Sequence, residues 1–282
     1  MHWLIRHGVL LVVLFWSSVV FAEGRSMLLN DPGRQYQMIF GAELGFSSIF
    51  KHNVQFGSDG TRFDYVEDGN QNIAFPFARL TAELRLKERH SLILLFQPLT
   101  LETDALLDED LVVDGETFTS GTPMNLVYGF DFWRLSYLYD LLPAKNHELS
   151  VGASLQLRNA TIRFRSRDGE QLRVNQGPGP VPILKVRYRY DLDSGLWMGA
   201  EVDGFYASSA YINGGDNDFE GAILDASLRI GLVFSDALDG FLNFRYLGGG
   251  GSGTDNDDPG PGDGYTSNWL HTGTISLGLL LK

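Results

Sequence analysis

The chain has 282 residues, no cysteine, 33 glycines, 12% aromatic residues and a formal net charge of −13. The absence of cysteine excludes disulfides, thiolate metal sites and a lipid-modified cysteine anchor. The acidic balance speaks against nucleic acid as a partner. A domain of this size is then held by its own core, by strand pairing or by lipid.

Residues 1–22 read as a secretory signal peptide. Arg6 supplies the positive start, Gly8 to Val20 the apolar stretch, and Val20-Phe21-Ala22 the residues required at the cut, expected after Ala22. The apolar stretch is short for a membrane-crossing helix of roughly 20 residues. Residues 23–282 then read as one β domain.

Period-two alternation runs through that domain. A first strand over 35–47 sets Tyr36, Met38, Phe40, Ala42, Leu44 and Phe46 against Gln35, Gln37, Gly41, Glu43 and Gly45. A polar loop follows, with turn signals at Asp59-Gly60 and Asp68-Gly69. A second strand over 73–86 opposes Leu80, Ala82, Leu84 and Leu86 to Arg79, Thr81, Glu83 and Arg85. Lys87-Glu88-Arg89 turns tightly into a third strand over 90–102, and pairing across it puts Leu84 by Leu92 and Leu80 by Phe96. An acidic loop spans 103–122.

The fourth strand, 124–139, is rich in aromatics: Tyr128, Phe130, Phe132, Trp133, Tyr137 and Tyr139. Its alternation breaks near Trp133-Arg134, which predicts a bulge. Leu141-Leu142-Pro143-Ala144 leads to a fifth strand over 147–165. Its polar face is Glu148, Ser150, Ser154, Gln156 and Arg158. Asp168-Gly169 predicts a hairpin into 170–174, and a sixth strand covers 181–190. Further strands are expected at 196–206, 221–234, 240–248 and 268–281.

The connections alternate in length. Those at 87–89, 140–146, 191–195 and 235–239 are short; those at 48–72, 103–123, 166–180, 207–220 and 249–267 are long. An outer-membrane barrel has this asymmetry, with short periplasmic turns and longer outer loops. The expected fold is therefore all-β: a closed, antiparallel, up-and-down transmembrane β-barrel of about ten strands, monomeric, in the outer membrane. Together these features resemble the small outer-membrane β-barrels of Gram-negative bacteria, in the size range of the ten-stranded omptins and the opacity-type adhesins. The last strand resembles the assembly signal of that class, with Gly273, Ile275, Leu277, Leu279 and Leu281 in rhythm, and departs from it by ending in Lys282 instead of an aromatic. The resemblance implies outer-membrane lipid, lipopolysaccharide and the barrel assembly machinery as partners.

By parity the lumen receives Glu43, Arg79, Glu83, Arg85, Arg158, Lys185, Arg187, Arg189, Glu201, Asp203, Asp225, Arg229 and Arg245. Lys185 is expected beside Glu201. About ten strands leave an interior that side chains nearly fill, so this mixed-sign set predicts a paired, largely filled lumen. A selective pore in a charged lumen is the functional alternative.

Chemistry is sparse. His52, His90, His147 and His271 follow the signal, and none stands in the Asp-x-His of an omptin-like protease or the His-x-Ser of a lipid A deacylase. Asp255, Asp257, Asp258 and Asp263 gather oxygen ligands in a Gly/Pro-rich loop, a weak Ca²⁺ signal that lacks EF-hand spacing. No other cofactor is indicated. Tyr265, Trp269, Tyr211, Phe205 and Tyr206 fit an interfacial aromatic girdle. The leading expectation is a structural, surface-interaction or narrow-transport barrel. A rim-acting hydrolase or protease comes second, and a soluble periplasmic barrel binding an apolar ligand third.

Overall fold

The computed structural model describes residues 36–142, 144, 146–209, 218–257 and 260–282. The proposed signal peptide, Tyr211, Asp258 and the side chain of Arg158 lie outside the described residues. Fourteen strands occur among those described: β1 (Tyr36–Phe56), β2 (Phe63–Asp64), β3 (Ala74–Leu86), β4 (His90–Gln97), β5 (Thr100–Leu106), β6 (Leu111–Val113), β7 (Glu116–Phe118), β8 (Pro123–Asp140), β9 (His147–Ser166), β10 (Leu172–Asp191), β11 (Leu196–Ser208), β12 (Phe219–Ser235), β13 (Leu238–Thr254) and β14 (Tyr265–Leu281). β1, β3, β4 and β8 to β14 pair in chain order as antiparallel neighbours. β14 then pairs with β1, from Phe40↔Leu281 to Phe56↔Thr266, and closes a ten-stranded barrel.

Alternation decides which residues face out. Leu224 is 44%, Leu228 63% and Leu277 70% exposed, on the outer wall with Phe46, Leu92, Leu135, Leu155, Leu184, Val202 and Phe244. Their neighbours one residue away are buried and polar: Ser91, Arg134, Ser136, Ser154, Asp225, Ser227 and Ser276. A soluble barrel would have this inside out. The expected pairs Leu84↔Leu92 and Leu80↔Phe96 are in register.

Three expectations need correction. The fourth predicted strand has no bulge: β8 pairs with β9 without a shift from Met124↔Ser166 to Asp140↔Ser150. Tyr128, Phe130 and Phe132 share the inward face with Arg134. What changes along that face is its chemistry, apolar towards the loops and charged towards the short turns. The first strand does not stop at 47 either: β1 runs on to Phe56, through a bulge between Ile49 and Lys51. The bulge turns His52, Val54 and Phe56 inward, and all three are buried. Finally, 166–180 is no long loop. β9 and β10 continue as a tall hairpin from Leu172↔Arg165 downward. Gly177-Pro178-Gly179-Pro180 gives this part of β10 the look of a loop in sequence, although the backbone ladder is unbroken.

The long connections fold into the barrel mouth. β5 continues the line of β4 along β8 after Pro98 interrupts it, and the Asp131 carboxylate accepts the Leu99 N–H at 2.9 Å across the gap. The β6–β7 hairpin and β2 lie nearby, tied to the β1 end by Asp114 N–H to Phe56 O at 3.1 Å and Tyr65 N–H to His52 O at 2.8 Å. The result is an apolar core of Phe56, Phe63, Tyr65, Leu101, Leu111, Phe118, Met124, Leu126, Ile162 and Phe164, all 3% exposed or less.

Candidate functional site

Below that core, towards the short turns, eight of the ten wall strands contribute charge to one belt, and β4 and β14 add neutral groups such as Gln97 and Ser276. Its hub is Arg134, 1% exposed, a residue the parity reading missed because it placed a bulge there. Arg134 Nη1 lies 3.2 Å from Asp203 and 3.0 Å from Asp225, while its Nε and Nη2 donate to Gln156 Oε1 at 3.0 and 2.7 Å. Arg245 reaches the same Asp225 at 2.6 Å and donates to Gln97 at 2.8 Å. The signal that would have found Arg134 is simple: it keeps step with Ser136, Leu138 and Asp140.

Lys185 meets Glu201 at 2.6 Å, as expected, and Asp203 at 2.8 Å as well. Asp203 is its direct cross-strand neighbour and Arg187 is that of Glu201, so the Lys185–Glu201 contact is diagonal. Arg229 bridges Glu201 at 2.8 Å and Glu43 at 3.4 Å. Glu43 also accepts from Asn243 at 2.7 Å and Ser276 at 3.0 Å. Nearer the turns, Arg187 and Arg85 share Glu83 and Glu148, at 2.8 and 2.5 Å from Arg187 and 2.8 and 3.0 Å from Arg85. At the rim Arg189 and Lys282 converge on Asp239, at 3.1 and 2.6 Å. Glu148, Asp239 and Lys282 are further members that the expected charge set omitted.

Of that expected set, every residue except Arg158 is thus described inside the barrel. Arg79 is the odd member. It is 2% exposed, its nearest carboxylate is Asp225 at 3.9 Å, and its buried Nε has no protein acceptor. Two aromatic rings pack the turn end. Trp197 lies where a side chain on Gly231 would sit and carries Arg189 stacked 4.2 Å from its ring centroid; the Phe241 ring likewise occupies the space of a Gly278 side chain. Glycine at these two positions is what admits the rings.

Between the belt and the turn-end rim lies a cavity of about 430 Å³. Its lining residues on each strand run from the rim up to Arg79, Leu95, Ser136, Lys185, Glu201 and Arg229.

The histidines have neutral partners. His52 Nδ1 shares a hydrogen bond with Gln71 Oε1 at 2.7 Å and stacks on Tyr65 within the apolar core. His90, His147 and His271 each pair through Nδ1 with a tyrosine hydroxyl, of Tyr137 at 2.7 Å, Tyr188 at 3.1 Å and Tyr246 at 2.6 Å. In the acidic loop, Asp263 accepts the backbone N–H groups of Ser58 and Tyr265 as well as the Ser58 hydroxyl. These bonds hold its carboxyl below the usual range, the Ser58 hydroxyl foremost. Asp255 accepts the Asp257 N–H at 3.1 Å. Among the described residues, no three acidic or histidine side chains gather around a common point.

Neither a protein-family model nor a curated protein sequence matches this chain. Among solved structures it is similar to the outer membrane protease OmpT from Escherichia coli, with 11% identity and a TM-score of 0.49, covering 92% of this chain and 99% of that one. A FadL homologue from Pseudomonas aeruginosa aligns at 8% identity and a TM-score of 0.39, over 86% of this chain and 90% of that one. The outer membrane protein OprG from the same organism aligns at 10% identity and a TM-score of 0.32, over 88% and 98%.

Proposed function

We propose that this protein is an integral outer-membrane β-barrel that works in the closed state. It serves as a structural or surface-interaction protein of the bacterial envelope, and not as an open pore or an enzyme. One observation carries the reading: the interior is blocked at two levels, by the salt-bridged belt above the turn-end cavity and by the apolar core in the loop-end half. A wall of exposed leucine, phenylalanine and valine supports membrane insertion, since apolar surface of this extent is stable only against lipid or a partner.

The short turns would face the periplasm and the folded loops the exterior. Lys51, Trp269 and His271 line a shallow surface pocket on the loop side of the apolar band, where headgroups of lipid or lipopolysaccharide would contact them. The assembly machinery would read β14, whose outward residues Ile275 and Leu277 are 57% and 70% exposed. A narrow-transport role would require the loop-end core to open.

Two measurements test this. The protein without residues 1–22 is expected to need detergent and to show a heat-dependent gel shift. In planar bilayers the unmutated barrel is expected to give little steady conductance. A detergent-free periplasmic monomer would sink the membrane reading, and large steady conductance would sink the closed one.

A further inference from the structure

We infer that the turn-end cavity is a binding site for a small organic monocarboxylate, held by Arg79 at its inner end. Charge supplies the first argument. Around the cavity the cations Arg79, Arg85, Arg134, Lys185, Arg187, Arg229 and Arg245 are interleaved with the carboxylates Glu43, Glu83, Asp140, Glu148, Glu201, Asp203 and Asp225. Six of those cations hydrogen-bond a carboxylate. Arg79 does not.

The carboxylate opposite Arg79 in register, Glu43, is already engaged by Asn243, Ser276 and Arg229. Asp225, 3.9 Å away, is taken by Arg134 and Arg245. Arg79 therefore brings to the cavity a buried guanidinium that hydrogen-bonds no carboxylate and whose Nε has no acceptor. A buried charge without a hydrogen-bonded counterion is costly, and one planar anion with two oxygens matches the guanidinium fork. Glu201 lines the same inner end, so a second negative charge on the ligand would be repelled.

Shape supplies the second argument. Three apolar side chains stand near Arg79: Ile39 on β1 and Ile93 and Leu95 on β4 flank β3, with Glu83 between Ile39 and Ile93 and with Thr81 beside Leu95. These three are buried at 7%, 7% and 4% exposure yet border the cavity. A site of about 430 Å³ in which the other lining cations Arg85, Lys185, Arg187 and Arg229 already bind carboxylates, and in which Ile39, Ile93 and Leu95 lie near Arg79, suits a carboxylate bearing a short apolar body. The proposal needs only the barrel interior, and it stands whether or not the loop-end core conducts.

Hexanoate, hexylammonium and inorganic phosphate are the probes, titrated calorimetrically into the detergent-solubilised barrel against a micelle blank. Saturable hexanoate binding is expected. Phosphate should bind more weakly, and hexylammonium should give no saturable heat. Arg79→Gln and Arg79→Lys, each checked for folding by the gel shift, should weaken hexanoate by about tenfold or more, because Lys keeps the charge but loses the fork. Unchanged affinity in a folded Arg79 variant, no saturable hexanoate binding, or equal binding of hexylammonium overturns the site. Equal binding of phosphate leaves an adventitious anion site and overturns the monocarboxylate assignment. If neither variant folds, the unmutated protein decides. Intermolecular NOEs from hexanoate to the methyls of Ile93 and Leu95 support the site, and NOEs confined to the outward Leu94 defeat it.

Discussion

In the loop-end half of the lumen Leu101, Phe118, Phe132 and Phe164 fill the space with buried apolar groups, whereas in the turn-end half the same wall presents Arg134, Lys185, Asp203 and Asp225. Phe132 and Arg134 are two residues apart on one face of β8, and the guanidinium lies 5.5 Å from the phenyl centroid. Arg245 sits similarly over Phe77 at 5.6 Å. Cations stacked on rings therefore form the border between the halves. The halves differ in origin as well as in chemistry. The apolar half depends on loop segments far apart in the chain, and the charged half is built by strand alternation alone. Burial of apolar area is non-directional and tolerates volume-conserving change. A buried ion network is directional, and removing one partner leaves the other exposed to its full desolvation cost.

The largest expected effect separates the halves by that logic. Arg134→Met would remove the one cation that both Asp203 and Asp225 share, leaving them Lys185 and Arg245 as hydrogen-bonded cations, and is expected to cost about 3–5 kcal/mol of folding free energy into lipid vesicles. Phe164→Ala is expected to cost about 3–5 kcal/mol by cavity formation, and Phe164→Leu much less. If conservative change were tolerated equally in the belt, with Arg134→Lys as mild as Phe164→Leu, the distinction would fail. Glu201→Gln should be gentler, about 1.5–3 kcal/mol, because Lys185 keeps Asp203 and Arg229 keeps Glu43.

The next comparison sets the interior against the outer wall. Leu228→Arg should cost about 2–4 kcal/mol if Leu228 lies near the bilayer midplane, while Ser227→Asn, one residue away and lumenal, should cost much less. Equal or reversed costs in vesicle refolding would show that the faces are assigned the wrong way round.

A smaller effect is expected at the rim. Lys87 and Glu88 have φ of 51° and 60°, a left-handed pair that Asn-Gly adopts with less strain. Replacing them with Asn-Gly is expected to stabilise the barrel by about 1 kcal/mol, read from the urea midpoint. No gain would count against strain in this turn.

The smallest effect is the loop clasp at Asp263. Its carboxyl sits below its ordinary value of 3.8 in the folded chain. A depressed folded pKa means that the stabilisation is present above the unfolded value and is lost as pH falls through the folded one. Amide protection at Ser58 and Tyr265 should thus persist at neutral pH and fade below about pH 4, and Asp263→Asn should remove the dependence. A protection profile that is flat with pH in the unmutated protein would discard this account.

Alternation determined much of this protein from sequence alone. A period of two with apolar residues on one face needs only local backbone geometry to be read, so the strand count, the closure and the outward-facing leucines were legible. The lumen set was legible for the same reason: a residue beside an outward-facing leucine has nowhere else to point. Tertiary structure decided the rest. The β9–β10 hairpin rises past the apolar band, where Gly177-Pro178-Gly179-Pro180 interrupts the sequence pattern of β10 while its ladder to β9 continues. Arg134 was hidden because its aromatic neighbours face a core made by loops folding back, and no local pattern reports what a distant segment will cover. Which cation hydrogen-bonds no carboxylate was likewise a tertiary outcome: Arg79 looks like any lumenal arginine in sequence, and only the competition of Arg134, Arg245 and Arg229 for Asp225 and Glu43 leaves it without one.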